Sequence, residues 1–163
     1  MIVISDSSPL ILFSKIGHLH LLSQLFENIV IPPAVYNEVV AHGRDRSGSV
    51  ETANAPWIIV RSVTNESAFT GLSQSLGPGE REVLALATEI PLPYLLIVDD
   101  AAGRRVAIRR RMPLTGSAGI LVAAKMANLI PTVRPMLDEL LSAGLHLDEQ
   151  AYSRTLINAG ETR

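Results

Sequence analysis

Two short apolar runs in this chain end in carboxylates. Ile2 to Ile4 lead through Ser5 to Asp6, and Leu95 to Val98 lead directly to Asp99 and Asp100. Short apolar runs bounded by polar and turn residues read as buried strands. An acid just past a buried parallel strand lies at the carboxyl edge of a sheet, where open α/β folds build their sites. Two strands delivering acids to one edge are able to hold a metal ion.

The remaining elements alternate. Met1 to Ser5 reads as a strand. Ser7, Ser8 and Pro9 supply hydroxyl caps and an early proline for a helix reaching about Ile16, which Gly17 stops. A second helix spans His18 to about Phe26, Asn28 to Ile31 is a short strand, and Pro32-Pro33 opens a helix reaching about His42. Residues 43–55 are polar and read as a surface loop or a frayed helix end. Trp57 to Val63 alternates like an edge strand. Gly77-Pro78-Gly79 turns into a helix over Glu80 to Glu89, followed by the strand Tyr94 to Val98 and a helix from Ala101 to about Arg111. Pro113 to Thr115 reads as a last short strand, with helices near 117–128, 132–143 and 148–159. Strands separated by helices imply a mostly parallel sheet covered on both faces, an α/β fold. Right-handed crossovers place every strand-to-helix turn at one edge.

With 163 residues the chain is expected to form one domain, 1–163, whose C-terminal helices from about 131 pack on it or extend from it. No apolar run approaches the ~20 residues that cross a bilayer, so no membrane partner is expected. No basic region precedes the first apolar stretch, so no signal peptide is expected. The absence of cysteine excludes thiolate metal sites and fits a reducing, cytoplasmic setting. A net charge of -2 argues against nucleic-acid binding by bulk charge. Five of the 14 Lys and Arg residues fall between Arg104 and Arg111, however, and that segment is where a polyanion would be met.

Asp6 reads either as the cap of the next helix or, if Ser7 and Ser8 cap it, as a free ligand. Glu38 borders the core stripe of Val35 and Val39, a position usually solvated. Glu80 lies in a helix first turn, where compensation of the macrodipole alone explains an acid. Glu82 points elsewhere, while Leu84, Ala87 and Ile90 read as packing positions. One of Asp99 and Asp100 caps the helix at Ala101 and the other projects into the site, in either order. All-oxygen donors favour Mg²⁺ or Mn²⁺ over zinc. His18, His20, His42 and His146 show no metal spacing with the acids and read as surface or helix-border residues. No P-loop and no nucleophile elbow is present.

The segments ISDSSPLI (4–11), IPPAVYNEV (31–39), GPGEREVLALA (77–87), LLIVDDAAGRRVA (95–107) and LTGSAGILVAAK (114–125), in this order, make the chain resemble the PIN-domain family. Within it, the chain resembles a prokaryotic branch of predicted nucleic-acid-binding proteins related to toxin ribonucleases of the VapC type. The resemblance implies a three-layer α/β/α sandwich and a metal-dependent nuclease, an endoribonuclease and the possible toxin of a toxin–antitoxin pair. It maps the family's acids onto Asp6, Glu38, Glu80 and either Asp100 or Asp99. Asp6, Glu80 and Asp100 or Asp99 are the metal ligands so implied, with Mg²⁺ or Mn²⁺ as cofactor. The family commonly has Asp where this chain has Glu80.

On that reading Arg104 and Arg105 steer phosphate, with Ser7 and Thr115 as helpers, and RNA is the substrate. Alternatives from other classes are a catalytically weak module that binds nucleic acid or an antitoxin, and a phosphatase acting on a small molecule. A homodimer or a small antitoxin is the expected protein partner. Its candidate surfaces are helices 9–16 and 18–26, with Leu10, Leu12, Phe13, Leu21, Leu22 and Phe26, and the C-terminal helix with Tyr152, Leu156 and Ile157.

Overall fold

The computed structural model describes residues 1–41 and 46–162. Its five strands are β1 (Ile2–Ser5), β2 (Ile29–Ile31), β3 (Ile58–Val60), β4 (Tyr94–Ile97) and β5 (Leu114–Thr115). They form one sheet in the order β3-β2-β1-β4-β5, with every pairing parallel. Central strands buried on both faces carry no polar alternation, which is why β1, β2 and β4 read as unbroken apolar runs. Ser5 pairs with Ile97 and Ile97 with Thr115, so the chain leaves β1, β4 and β5 at the same level. The Asp6 amide still donates to the Ile97 carbonyl at 3.0 Å, which fixes Asp6 beside the end of β4.

The helices are α1 (Ser7–Lys15), α2 (His20–Phe26), α3 (Pro33–Tyr36), α4 (Ser49–Ala53), α5 (Pro78–Glu89), α6 (Ala101–Arg109), α7 (Ser117–Met126), α8 (Arg134–Ala143) and α9 (Glu149–Asn158). α5 packs over β1 and β4, with α3 and α6 beside it. On the other face α2 lies against β2 and α7 against β5, with α8 and α9 on α7 and with α1 on α8. The result is a three-layer α/β/α sandwich. A continuous buried core joins the layers, from Ile4, Leu96 and Ile97 of the sheet to Leu84 and Leu86 of α5 and Leu137, Leu140 and Leu156 of the C-terminal helices.

Several local expectations change. Within the stretch read as a surface loop or a frayed helix end, Ser49 to Ala53 form a separate short helix, α4, where Gly48 (φ +97) starts a turn whose amide is bound by Glu51. The strand expected over 57–63 contracts to three residues at the sheet edge, where Ile59 and Val60 stay about half exposed. The helix opened by Pro32-Pro33 is α-helical only to Tyr36 and then widens into a π-turn over Asn37–Ala41. The expected helix end at His42 lies outside the described residues. Leu10, Leu12, Phe13, Leu21 and Leu22 are buried in the core, and Phe26 packs on it, so these side chains of α1 and α2 belong to the interior. On α9, Leu156 is buried, Tyr152 donates to Asp138 and Ile157 is exposed.

The end of the chain is tied down by one carboxylate. α8 has Val133 at its N-cap, a residue without a capping side chain. Glu161 supplies the cap from 27 residues away, accepting from the amides of Arg134 (3.1 Å) and Val133 (2.6 Å), and it pairs with Lys125 of α7 at 2.9 Å. Charge-assisted bonds to otherwise orphaned helix amides are strong, and Glu161→Ala is expected to cost about 1–3 kcal/mol. Urea unfolding checks this; a change under ~0.5 kcal/mol, the scale of ordinary surface substitutions, would refute it.

Candidate active site

Asp6 leaves β1 in an extended conformation (φ -77, ψ 174), the geometry of an N-cap, while Ser7 is already helical. Asp6 therefore caps α1 itself, its Oδ1 accepting from the Ser7 amide at 2.8 Å. Of the two readings the sequence left open, Asp6 as the cap is the one found, and the serines do not replace it. Capping takes one oxygen and leaves Asp6 only 3% exposed. Burial pushes its pKa up to about 7; the Ser7 amide opposes this, and the charges of Glu80, Glu38 and Asp100 raise it further. Glu38 and Glu80 are acids that the family resemblance implies, and Asp100 is one of the two it leaves open.

Each is delivered by a different element. Glu38 rides the π-turn after α3, and its Oε1 accepts from the Gly79 amide at the start of α5, 2.9 Å away. A π-turn re-phases the residues that follow it, which the sequence pattern did not signal. Glu82 of α5 returns the bond: its Oε2 accepts from Ala34 at 2.8 Å, the first free amide of α3 after Pro33. The two helices thus cap one another through Glu38 and Glu82.

Glu80, in the first turn of α5, accepts from the Gly77 amide. Burial raises its pKa, the Gly77 bond lowers it, and Asp100 and Glu38 raise it. Asp100 caps α6, its Oδ2 accepting from Gly103 at 3.0 Å. Gly103 lies between these two acids: a Cβ there would stand 3.7 Å from Glu80 Cγ and 3.8 Å from Asp100 Oδ2.

Two glycines make these approaches possible. A Cβ on Gly79 would fall 2.7 Å from Glu38 Oε1, and one on Gly77 would fall 2.7 Å from Glu80 Oε2. The sequence suggested only a turn at Gly77-Pro78-Gly79, and the close seating of two carboxylates emerges from the fold.

The Asp99–Asp100 doublet splits. Asp99 turns toward α7, accepting from the Ser117 amide at 2.7 Å and from the Ser117 hydroxyl. Burial raises its pKa, whereas Ser117 and then Arg104 lower it. Arg104 donates from Nη1 to the Val98 carbonyl at 2.7 Å and so braces the end of β4. Gly116 gives both side chains room, since a Cβ there would lie 2.8 Å from Asp99 Oδ1 and 2.9 Å from Arg104 Nη1. Arg105 is exposed. Thr115 folds its hydroxyl against Gly119, where any Cβ would collide with it. His18, His20 and His146 lie at or near the surface, and none is among the charges acting on Asp6.

The donor chemistry suits a hard divalent cation. Four carboxylates converge electrostatically on one sheet edge, with the most buried of them resisting ionisation, and a cation relieves both burdens. Among the described residues, no three His, Asp or Glu side chains are gathered into a ready-made cage. Each of the four acids instead leans on a main-chain amide. Among the described residues no helix is long and apolar enough to cross a membrane. No curated protein matches the sequence. A family model for the PIN domain, a nuclease-type fold, matches residues 2–161. The chain belongs to the PIN-domain family.

Proposed function

We propose that this protein is a Mg²⁺- or Mn²⁺-dependent endoribonuclease, related to the toxin ribonucleases that its sequence resembles. The observation that carries the reading is the position of Asp6. It is a buried carboxylate with its pKa raised to about 7, at the end of the central strand, with Glu38, Glu80 and Asp100 bearing on it. Asp6, Glu80 and Asp100 hold the ion, with Glu38 completing the set. Asp100 is preferred to Asp99 because its charge acts on both Asp6 and Glu80, whereas Asp99 is satisfied by Ser117. When bound, a divalent ion lowers the pKa of water toward neutrality and offsets charge on the scissile phosphate.

The chain's own residues prepare for that chemistry. The Ser7 amide fixes Asp6 Oδ1 and so sets the direction of Oδ2. The mutual caps of α3 and α5 hold Glu38 and Glu80 at fixed separation from β1. Arg104 and Asp99 brace the β4 turn that presents Asp100. A second reading, a module that binds without turnover, draws on the amide bond that each acid already makes.

Incubation of the purified protein with a labelled single-stranded RNA tests the proposal. Internal cleavage with Mg²⁺ or Mn²⁺, lost on chelation and in Asp6→Asn, is expected. Intact RNA in both metals would sink the nuclease reading and leave the binding module.

A further inference from the structure

A groove of about 540 Å³ runs beside the acid cluster along the same sheet edge, between α6, the start of α7 and α9. The Asp99–Asp100 doublet divides the two: Asp100 acts on Asp6 and Glu80, and Asp99 lies in the groove wall. Arg105 of α6 and Arg154 of α9 both line it and both are exposed, and His146 lies on the connection to α9. Among the described residues the one ion pair is Lys125–Glu161, so neither arginine is neutralised by a contacting acid. Asp148, the other acid of the groove, is occupied as the cap of α9, accepting from Ala151 at 2.7 Å. Arg154 comes from the C-terminal helices and was not singled out in the sequence.

The walls define what fits. No Phe, Tyr or Trp lines the groove, so apart from the His146 ring it offers no stacking platform for bases. It offers guanidinium groups, which match phosphate geometry and carry no sequence information. We infer that this groove is the track of a single nucleic-acid strand, held by its phosphates on Arg105 and Arg154 as it passes from the acid cluster. The inference rests on the nuclease reading of that cluster and adds to it where the strand runs. It gives the C-terminal helices a share in substrate binding. Contacts made through phosphates alone are strongly salt-dependent and indifferent to base sequence.

Fluorescence anisotropy with a labelled twelve-nucleotide single strand, in chelator so that nothing is cut, tests the track. The double variant Arg105→Gln/Arg154→Gln is expected to bind about tenfold more weakly at low salt, with the slope of log affinity against log salt reduced by about 1.4, two phosphate contacts at ~0.7 each. Arg109→Gln/Arg111→Gln removes the same charge from the last residue of α6 and the turn after it, outside the groove, and is expected to bind as wild type. Equal losses in the two double variants would reduce the effect to bulk charge and overturn the track, as would no loss in the first. Absence of wild-type binding to RNA and DNA strands alike would overturn it too. If wild type binds through the groove but never cleaves with metal, the nuclease reading fails and the track stands; if it cleaves while Arg105→Gln/Arg154→Gln binds normally, only the track fails.

Discussion

Asp6→Asn is expected to cut metal-dependent cleavage at least about a hundredfold and, without metal, to make the protein more stable at pH 8. The two effects have one cause. Asp6 is buried, and its pKa of about 7 stands well above the ~3.9 of an unfolded aspartate. Between pH 4 and 7 the folded chain holds a proton there that the unfolded chain has lost, so stability falls as pH rises through that window. Above pH 7 the buried charge is fully present and so is its cost. Three pH units at 1.36 kcal/mol each bound that cost at about 4 kcal/mol, and relaxation and hydration reduce it.

Asparagine keeps an oxygen for the Ser7 amide and never ionises. A gain of about 2 kcal/mol at pH 8 corresponds to a Tm higher by roughly 4–8 °C for a chain of this size, vanishing near pH 4. Mg²⁺ or Mn²⁺ is expected to raise the Tm of wild type and not of the variant. Several kcal/mol of lost charge stabilisation translate into a cleavage rate lower by about 10²–10⁴. Thermal melts at pH 4, 6 and 8, with and without metal, measure the stability arm. Parallel pH profiles for the two proteins would contradict the assignment of Asp6 as the strained centre of the cluster.

The adjacent aspartates are expected to fail in opposite ways. Asp100→Asn retains an acceptor for the Gly103 amide and should leave stability within about 1 kcal/mol of wild type. It removes a charge acting on Asp6 and Glu80, and should lower cleavage about a hundredfold or more, with a smaller metal-induced rise in Tm. Asp99→Ala strands the amide and hydroxyl of Ser117, a buried residue, and removes a charge that Arg104 acts on. Leaving buried donors unpaired costs about 1–3 kcal/mol, so its baseline Tm should fall while the metal-induced rise persists. The reverse pattern, with metal response lost at Asp99 and kept at Asp100, would transfer the ligand role to Asp99.

Much of this site could be read along the chain because strand ends are local. An apolar run that stops at an acid marks both a buried strand and the edge where it emerges, and parallel topology brings Asp6 and the Asp99–Asp100 doublet to one level without further information. Other features depend on contacts between segments far apart in sequence. The cap of α8 comes from Glu161 because the end of the chain folds back on α7. Glu38 meets Gly79 because a π-turn re-aims it, and Gly79 admits it because no Cβ stands in the way. Nothing in the local pattern distinguishes that glycine from an ordinary turn residue.

The sequence by itself determined the parallel sheet and the edge where its strands deliver Asp6 and the Asp99–Asp100 doublet, because hydrophobic periodicity and strand length are properties of contiguous residues; Glu38 and Glu80 were marked only by the family resemblance. Only the tertiary structure decided how the Asp99–Asp100 doublet divides, with Asp99 on Ser117 of α7 and Asp100 facing Glu80 across Gly103. Two neighbouring carboxylates have the same chemistry, and what separates them is the partner that packing brings to each.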